Sequence, residues 1–288
     1  MMNLRFTLFL GAFLLASTSV FAQKPLLQWE KLYGGSDKEA QGGLGVGNFG
    51  FAEISAVTDS QGHLYVVTSS LSEDGDVTFH HQDPETETNI LRDIWLLKLS
   101  PAGDTLWTRV LGGTGDDRAF DVIISQAGTL VVVGNTTSED HDFIQPAKGG
   151  ANGDAFFMRL DTADGSIRDI IKYGGQQGDF FFSVLEASDG GFLLTGMTGS
   201  VDGDLTGNNN PGTVDGWVVK LTNSGNIDWW NTHFAPGSKV KNQIPRWDIS
   251  DWTDELWYAT EIASAGDTVY QVVGHSGHWS ATSGTRDM

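Results

Sequence analysis

The chain has 288 residues, no cysteine, and 37 acidic against 17 basic side chains, for a net charge of −20. Without cysteine there are no disulfides, cysteine zinc sites, thiol nucleophiles or cysteine-linked lipid anchors. The acidic balance argues against a nucleic-acid or anionic-membrane partner, which would need clustered Lys and Arg. It suits a soluble protein of the cell exterior and leaves room for cations.

Arg5 precedes a nearly all-apolar run from Phe6 to Ala16, and Val20-Phe21-Ala22 ends in a small residue. That order is the pattern of a signal peptide. The run is about half of the ~20 residues needed to span a bilayer. Residues 1–22 are therefore expected to be removed on export, leaving residues 23–288 without a transmembrane segment, secreted or held at the cell surface.

Past the leader, Trp29-Glu-Lys-Leu-Tyr-Gly34-Gly35 predicts a strand closed by a glycine pair. A glycine-rich insertion, Lys38 to Gly50, follows and offers no chemistry. Gln61-Gly62 turns the chain into the strand His63-Leu-Tyr-Val-Val67. An acidic loop, Asp74-Gly-Asp76, comes next, and His80-His81 read as solvated residues of a polar loop.

Asp93-Ile-Trp95-Leu-Leu-Lys98-Leu99 introduces a marker: an acid two residues before an aromatic, then an apolar run ending in a base and Leu. It recurs as Asp154-Ala-Phe156-Phe-Met-Arg159-Leu160 and Asp215-Gly-Trp217-Val-Val-Lys220-Leu221, a period of 61 residues (93, 154, 215). The other features keep its phase. Turns stand at Pro101 to Gly103, Ala163 to Gly165 and Asn223 to Gly225, and Gly112-Gly113 and Gly174-Gly175 close further strands. Hairpins form over Val122 to Gly134 and Val184 to Gly196. Each unit reads as four short β-rich strands joined by Gly, Asn and Asp turns. Four strands and one aromatic signature per repeat predict an all-β fold, a β-propeller of four-stranded antiparallel blades. Three blades are expected from about residue 93, the third interrupted at about 236–253, with three strands of a further blade before them. Thr285-Arg-Asp287-Met288 repeats the opening Leu91-Arg-Asp93-Ile94. The strand that should follow is missing, so the propeller is expected to be incomplete, a fragment truncated at its C-terminus.

The combination Trp-x-x-x-x-Gly-Gly, Ser-Asp-Gly-Gly-Phe, Ser-x-Asp-Gly-Asp and Asp-x-Trp-Val-Val-Lys-Leu resembles the roughly sixty-residue propeller repeats of secreted Bacteroidetes-type bacterial proteins. The resemblance covers about residues 28–288. It implies the fold and export, many such proteins carrying a C-terminal sorting domain for type IX secretion, but it implies no particular activity. No sorting domain is visible in this sequence.

The acidic loops Asp74-Gly-Asp76, Asp140-His-Asp142 and Asp202-Gly-Asp204 are the candidate metal ligands, because paired carboxylates on a glycine-bearing loop suit Ca²⁺. The alternative is a turn whose carboxylates accept backbone N–H groups. Asp93, Asp154, Asp215 and Asp287 open the marker strands, and Asp117 and Asp179 stand four residues after a glycine pair. One copy per repeat points to fold-holding acids, since a catalytic site needs only one. His275-x-x-His278 lacks the further ligands of a zinc site. No nucleophile elbow, Walker or dinucleotide motif is present, so no catalytic residue is assigned.

The segment from Phe234 to Asp254 breaks the repeat with Arg246-Trp247-Asp248-Ile-Ser-Asp251-Trp252-Thr-Asp254. Trp257 aligns with Ala119 and reads as core. Trp247 and Trp252, flanked by Asp248 and Asp251, are the candidate ligand-binding residues, aromatics placed to stack on a sugar or anchor a protein. The function expected is extracellular recognition or scaffolding, with an unknown glycan or protein as partner. The alternative is a carbohydrate-binding or carbohydrate-active exported protein using the 236–254 loop.

Overall fold

The computed structural model describes residues 29–37, 39, 54–81, 91–149, 153–208, 214–233, 255–264 and 270–278. Residues 1–22, the Trp247/Trp252 segment and Asp287 lie outside them. Among the described residues the fold is all-β. Strands β1 (Ile54–Thr58), β2 (Leu64–Ser70), β3 (Asp93–Leu99) and β4 (Thr105–Leu111) form one antiparallel sheet, paired in that order. Strands β5 (Asp117–Ile124), β6 (Thr129–Thr136), β7 (Asp154–Asp161) and β8 (Ile167–Tyr173) form a second. Strands β9 (Asp179–Glu186), β10 (Phe192–Thr198), β11 (Asp215–Leu221) and β12 (Ile227–His233) form a third. Strands β13 (Glu255–Ser264) and β14 (Tyr270–His278) pair as a hairpin.

The marker strands β3, β7 and β11 are third in their sheets. Sheets therefore begin at the hairpin and end at the Gly-Gly strand, two strands out of phase with blades counted from residue 93. Repetition fixes the period of a chain but not where along it a sheet starts. The break falls between β4 and β5, where Gly112-Gly113 carries the chain to the next sheet.

Both faces of each marker strand are covered, which is why their apolar runs are unbroken. Phe156, Met158 and Leu160 pack back onto Tyr65, Val67, Ile94 and Leu96 of the first sheet. Their neighbours Ala155 and Phe157 face forward onto Phe181, Phe192 and Leu194 of the third. Alternation along a strand puts one set on each face. Full burial of a ring such as Phe156 contributes about 2–3 kcal/mol. The sheets follow one another in chain order: β5 lies against β1 and β2, β9 against β5 and β6, and β13 against β9 and β10.

The first strands β5 and β9, and β13 of the hairpin, each carry a bulge opposite a glycine. The register skips between Ala119 and Asp121 opposite Gly134, and between Phe181 and Ser183 opposite Gly196. In the hairpin the skip lies between Ala259 and Glu261 opposite Gly274. This corrects the alignment of Trp257 with Ala119. Ala259 holds that position, and Trp257, opposite Ser276, stands where Asp117 faces Thr136 and Asp179 faces Thr198.

A Cβ on Gly196 would meet the Phe180 carbonyl oxygen at 1.8 Å, and one on Gly134 the Arg118 carbonyl oxygen at 1.8 Å. Backbone cannot yield as a side-chain tip does. Gly196→Ala is expected to cost about 3 kcal/mol in urea unfolding, and an unchanged midpoint would show that the bulge relaxes freely.

Candidate functional site

Polar side chains concentrate at the corners where one sheet hands over to the next. After β4, Gly113 N–H donates to Asp117 Oδ2 at 2.8 Å and Ser138 Oγ donates to the same oxygen at 2.7 Å. Thr136 Oγ1 donates to Oδ1. After β8 the pattern repeats: Gly175 N–H donates to Asp179 Oδ2 at 2.9 Å, Ser200 Oγ at 2.8 Å, and Thr198 Oγ1 donates to Oδ1. Both acids are fully buried. Burial pushes Asp117 up to about 7 against the pull of its three donors, with Asp93 adding to the rise. Burial likewise pushes Asp179 up to about 7, with Asp154 adding to the rise.

The first corner uses Glu39 instead. Gly35 N–H donates to Glu39 Oε1 at 3.0 Å, Ser72 Oγ donates to it as well, and Glu39 bridges to Ser70. The Lys38–Gly50 insertion, read as offering no chemistry, thus supplies the equivalent carboxylate. The signal was in the sequence: Glu39 follows Gly35 by the same four residues that separate Asp117 from Gly113.

The three Asp-x-Asp loops dock on these corners through the backbone. Asp76, Asp142 and Asp204 accept from the N–H of Gly34, Gly112 and Gly174 at 3.1, 3.0 and 3.1 Å. The same residues' own N–H groups donate back to those glycines' carbonyls. Asp74, Asp140 and Asp202 accept from the N–H of Ser36, Thr114 and Gln176 at 2.6, 2.8 and 2.8 Å. Burial raises the Asp140 carboxyl, but the Thr114 N–H and hydroxyl outweigh it and hold the group below its usual range. This is the turn geometry set beside Ca²⁺ in the sequence reading. A Ca²⁺ ion here would compete with amides already bound to these oxygens. Among the described residues no group of three or more His, Asp or Glu is arranged to hold a metal ion.

The marker acids close the same corners. Asp154 Oδ2 accepts the Lys148 N–H at 2.7 Å, while Lys148 Nζ reaches Asp204 at 3.3 Å. Burial pushes Asp154 up to about 6. At the preceding corner His81 takes the place of Lys148. Its N–H donates to Asp93 Oδ2 at 2.8 Å, its Nδ1 lies 3.0 Å from the same oxygen, and its Nε2 is 3.9 Å from Asp142. His80 Nδ1 is 3.5 Å from Asp93, and the His80 side chain is fully buried. The histidine pair is therefore part of the corner and not a solvated loop, because two carboxylates need a cationic or donor partner there. Burial pulls His81 down, but the hydrogen bond to Asp93 and the charges of Asp93, Asp142 and Asp117 raise it above its usual value.

Two further residues escaped the sequence reading. Asp121, at the β5 bulge, accepts from Ser55 Oγ in β1 at 2.8 Å, and from Ser183 Oγ and Val184 N–H in β9 at 3.1 and 2.9 Å. One carboxylate thus ties three sheets. Lys172 is buried, its Nζ donating to the carbonyls of Ser138, Phe143 and Gln145, and burial lowers its pKa. Both break an apolar pattern, which is the only signal the sequence carried. Trp247, Trp252, Asp248 and Asp251 lie outside the described residues. His275 and His278 stand on β14 opposite Tyr258 and Glu255.

No family model matches the sequence, and no curated protein matches it. Among solved structures the chain is similar to a protein of unknown function from Bacteroides caccae. The two are 14% identical over 63% of this chain and 68% of that chain, with a TM-score of 0.23. At that score the likeness bears on neither fold nor function.

Proposed function

We propose that the chain is an exported β-propeller repeat protein whose sheets are blades, and that it works outside the cell as a recognition or scaffolding module. The observation that carries the blade reading is the mutual contact of first strands. Asp121 on β5 bonds both β1 and β9, so the leading strands of three successive sheets meet, as the inner strands of neighbouring blades do. The scaffolding reading draws on how the repeated acids are used. At each corner they hold backbone amides and hydroxyls, which is fold-holding work repeated once per sheet.

Recognition is assigned to the segment that departs from the repeat, with Trp247 and Trp252 as stacking residues beside Asp248 and Asp251. The experiment is a glycan array and a binding titration with the best glycan, using the wild type and the Trp247→Ala, Trp252→Ala double variant. Binding without turnover, lost at least about tenfold in the variant at unchanged melting temperature, is the expected result. Release of reducing sugar would replace this reading with a carbohydrate-active enzyme. Unfolding of the double variant would show that the two rings are core.

A further inference from the structure

The three Asp-x-Asp loops are one element built three times, so two of them serve as controls for the third. Asp76, Asp142 and Asp204 donate their N–H groups to the carbonyls of Gly34, Gly112 and Gly174. The next residues, Val77, Phe143 and Leu205, are buried and donate to the carbonyls of Asp74, Asp140 and Asp202. On that alignment Gly75, His141 and Gly203 hold one position, and Thr78, Ile144 and Thr206 hold another. The fold is thus satisfied by glycine at the first position and threonine at the second.

The middle loop departs at both positions, and each departure is unfavourable by itself. His141 takes φ 48°, in the left-handed region where Gly75 and Gly203 stand at 68° and 59°. A Cβ on either glycine would come within 2.4 Å of a backbone carbonyl oxygen. Ile144 is 71% exposed. It ends the short 3₁₀ turn His141–Phe143, three residues after His141, so the two side chains share a face while Phe143 is buried. The His141 ring lies 5.0 Å from that of His81, which lies 5.0 Å from that of Phe79. Both ends of this row of rings, Phe79 and His141, are exposed. The rim is acidic. Residues 137–145 hold Glu139, Asp140 and Asp142 and no Lys or Arg, and Lys148, the next base along the chain, pairs with Asp204 of the following corner. Even a protonated His81 is outnumbered, since it also faces Asp93.

We propose that this corner binds an arginine side chain of a partner polypeptide, with an apolar residue next to that arginine. A guanidinium stacks on ring faces and forks onto carboxylates, which a compact ammonium does less well. Phe79 and His141 supply the rings, Glu139 and Asp142 the charge, and Ile144 the apolar contact. Charge complementarity selects a basic partner, because the corner and the chain as a whole are acidic. The inference rests on the alignment of the three loops and not on the assigned tryptophan segment.

The test is an NMR titration of the full-length protein with the end-blocked peptide Gly-Leu-Arg-Leu-Gly, following the ring signals of Phe79 and His141 and the Ile144 methyls. Saturable shifts of these signals are expected, weakened by added salt. The same peptide with citrulline, which keeps the shape of arginine without its charge, should bind at least about tenfold less tightly. The double variant His141→Gly, Ile144→Thr gives the loop the residues of its two counterparts. It should weaken binding at least about tenfold while the melting temperature stays the same or rises, because glycine then holds the left-handed position. No saturable shift, equal binding of the citrulline peptide, or equal binding by the double variant would overturn the proposal. A lower melting temperature of the double variant would also overturn it, since the two side chains would then belong to the fold. Stronger shifts of the same signals by maltotriose would replace the peptide with a glycan, and shifts that grow with protein concentration alone would name a second copy. The Trp247→Ala, Trp252→Ala variant should bind the peptide normally, so this site and the tryptophan segment are read separately.

Discussion

Asp179→Ala is expected to destabilise the protein by about 3–5 kcal/mol, a large fraction of the about 5–15 kcal/mol that holds an ordinary domain folded. The carboxylate is buried and receives the Gly175 N–H, the Ser200 hydroxyl and the Thr198 hydroxyl. Truncation leaves a buried amide with no acceptor, and each orphaned buried donor costs about 1–3 kcal/mol. The hydroxyls can turn elsewhere, which keeps the total below the sum. Asp179→Asn should cost less, because it keeps the shape and one acceptor oxygen. Asp117→Ala, with the same donor set, should behave alike. Chemical denaturation of the three variants checks this. Alanine and asparagine variants of equal stability, both close to wild type, would mean that the buried acid does not hold the corner.

The second large effect is on pH. Asp117 and Asp179 are pushed up to about 7 and Asp154 to about 6, in each case first by burial. Groups raised in the folded state hold protons that the unfolded chain has already released. Their contribution is therefore full below the ordinary Asp value of 3.8 and is lost as pH rises to about 7. The raised His81 acts in the same direction, its contribution present below 6.5 and lost above its raised value. Acids held below their usual range, Asp59, Asp140 and Asp161 among them, oppose this only as pH falls through 3.8 and below. The melting temperature should accordingly be higher at about pH 5 than at about pH 8. The difference corresponds to about 2–3 kcal/mol for each of Asp117 and Asp179 and about 1 kcal/mol for Asp154. The double variant Asp117→Asn, Asp179→Asn should flatten the profile. A melting temperature that is constant or rising from pH 5 to pH 8 in the wild type would refute the assignment.

The sequence by itself determined the strands of the three sheets, the period and the positions of the corner aspartates. Those features are local or repetitive: alternation and β-branched residues mark a strand wherever it lies, and the 61-residue spacing of Asp93, Asp154 and Asp215 needs no coordinates. Only the tertiary structure decided where a sheet begins, because pairing of β5 with β6 and not with β4 is a choice between neighbours with similar local signals. It also decided the partners of polar residues. His81 and Lys148 are unlike in type and irregular in spacing, yet both bring an N–H and a side chain to two acids from different loops. Asp121 reads as a polar interruption in an apolar strand until β1 and β9 are placed on either side of it. Leu32 reads as an ordinary strand residue until its side chain is found exposed. Hydrogen-bond partners and exposure depend on contacts between residues distant along the chain, and a periodic pattern carries no record of which distant residue comes near.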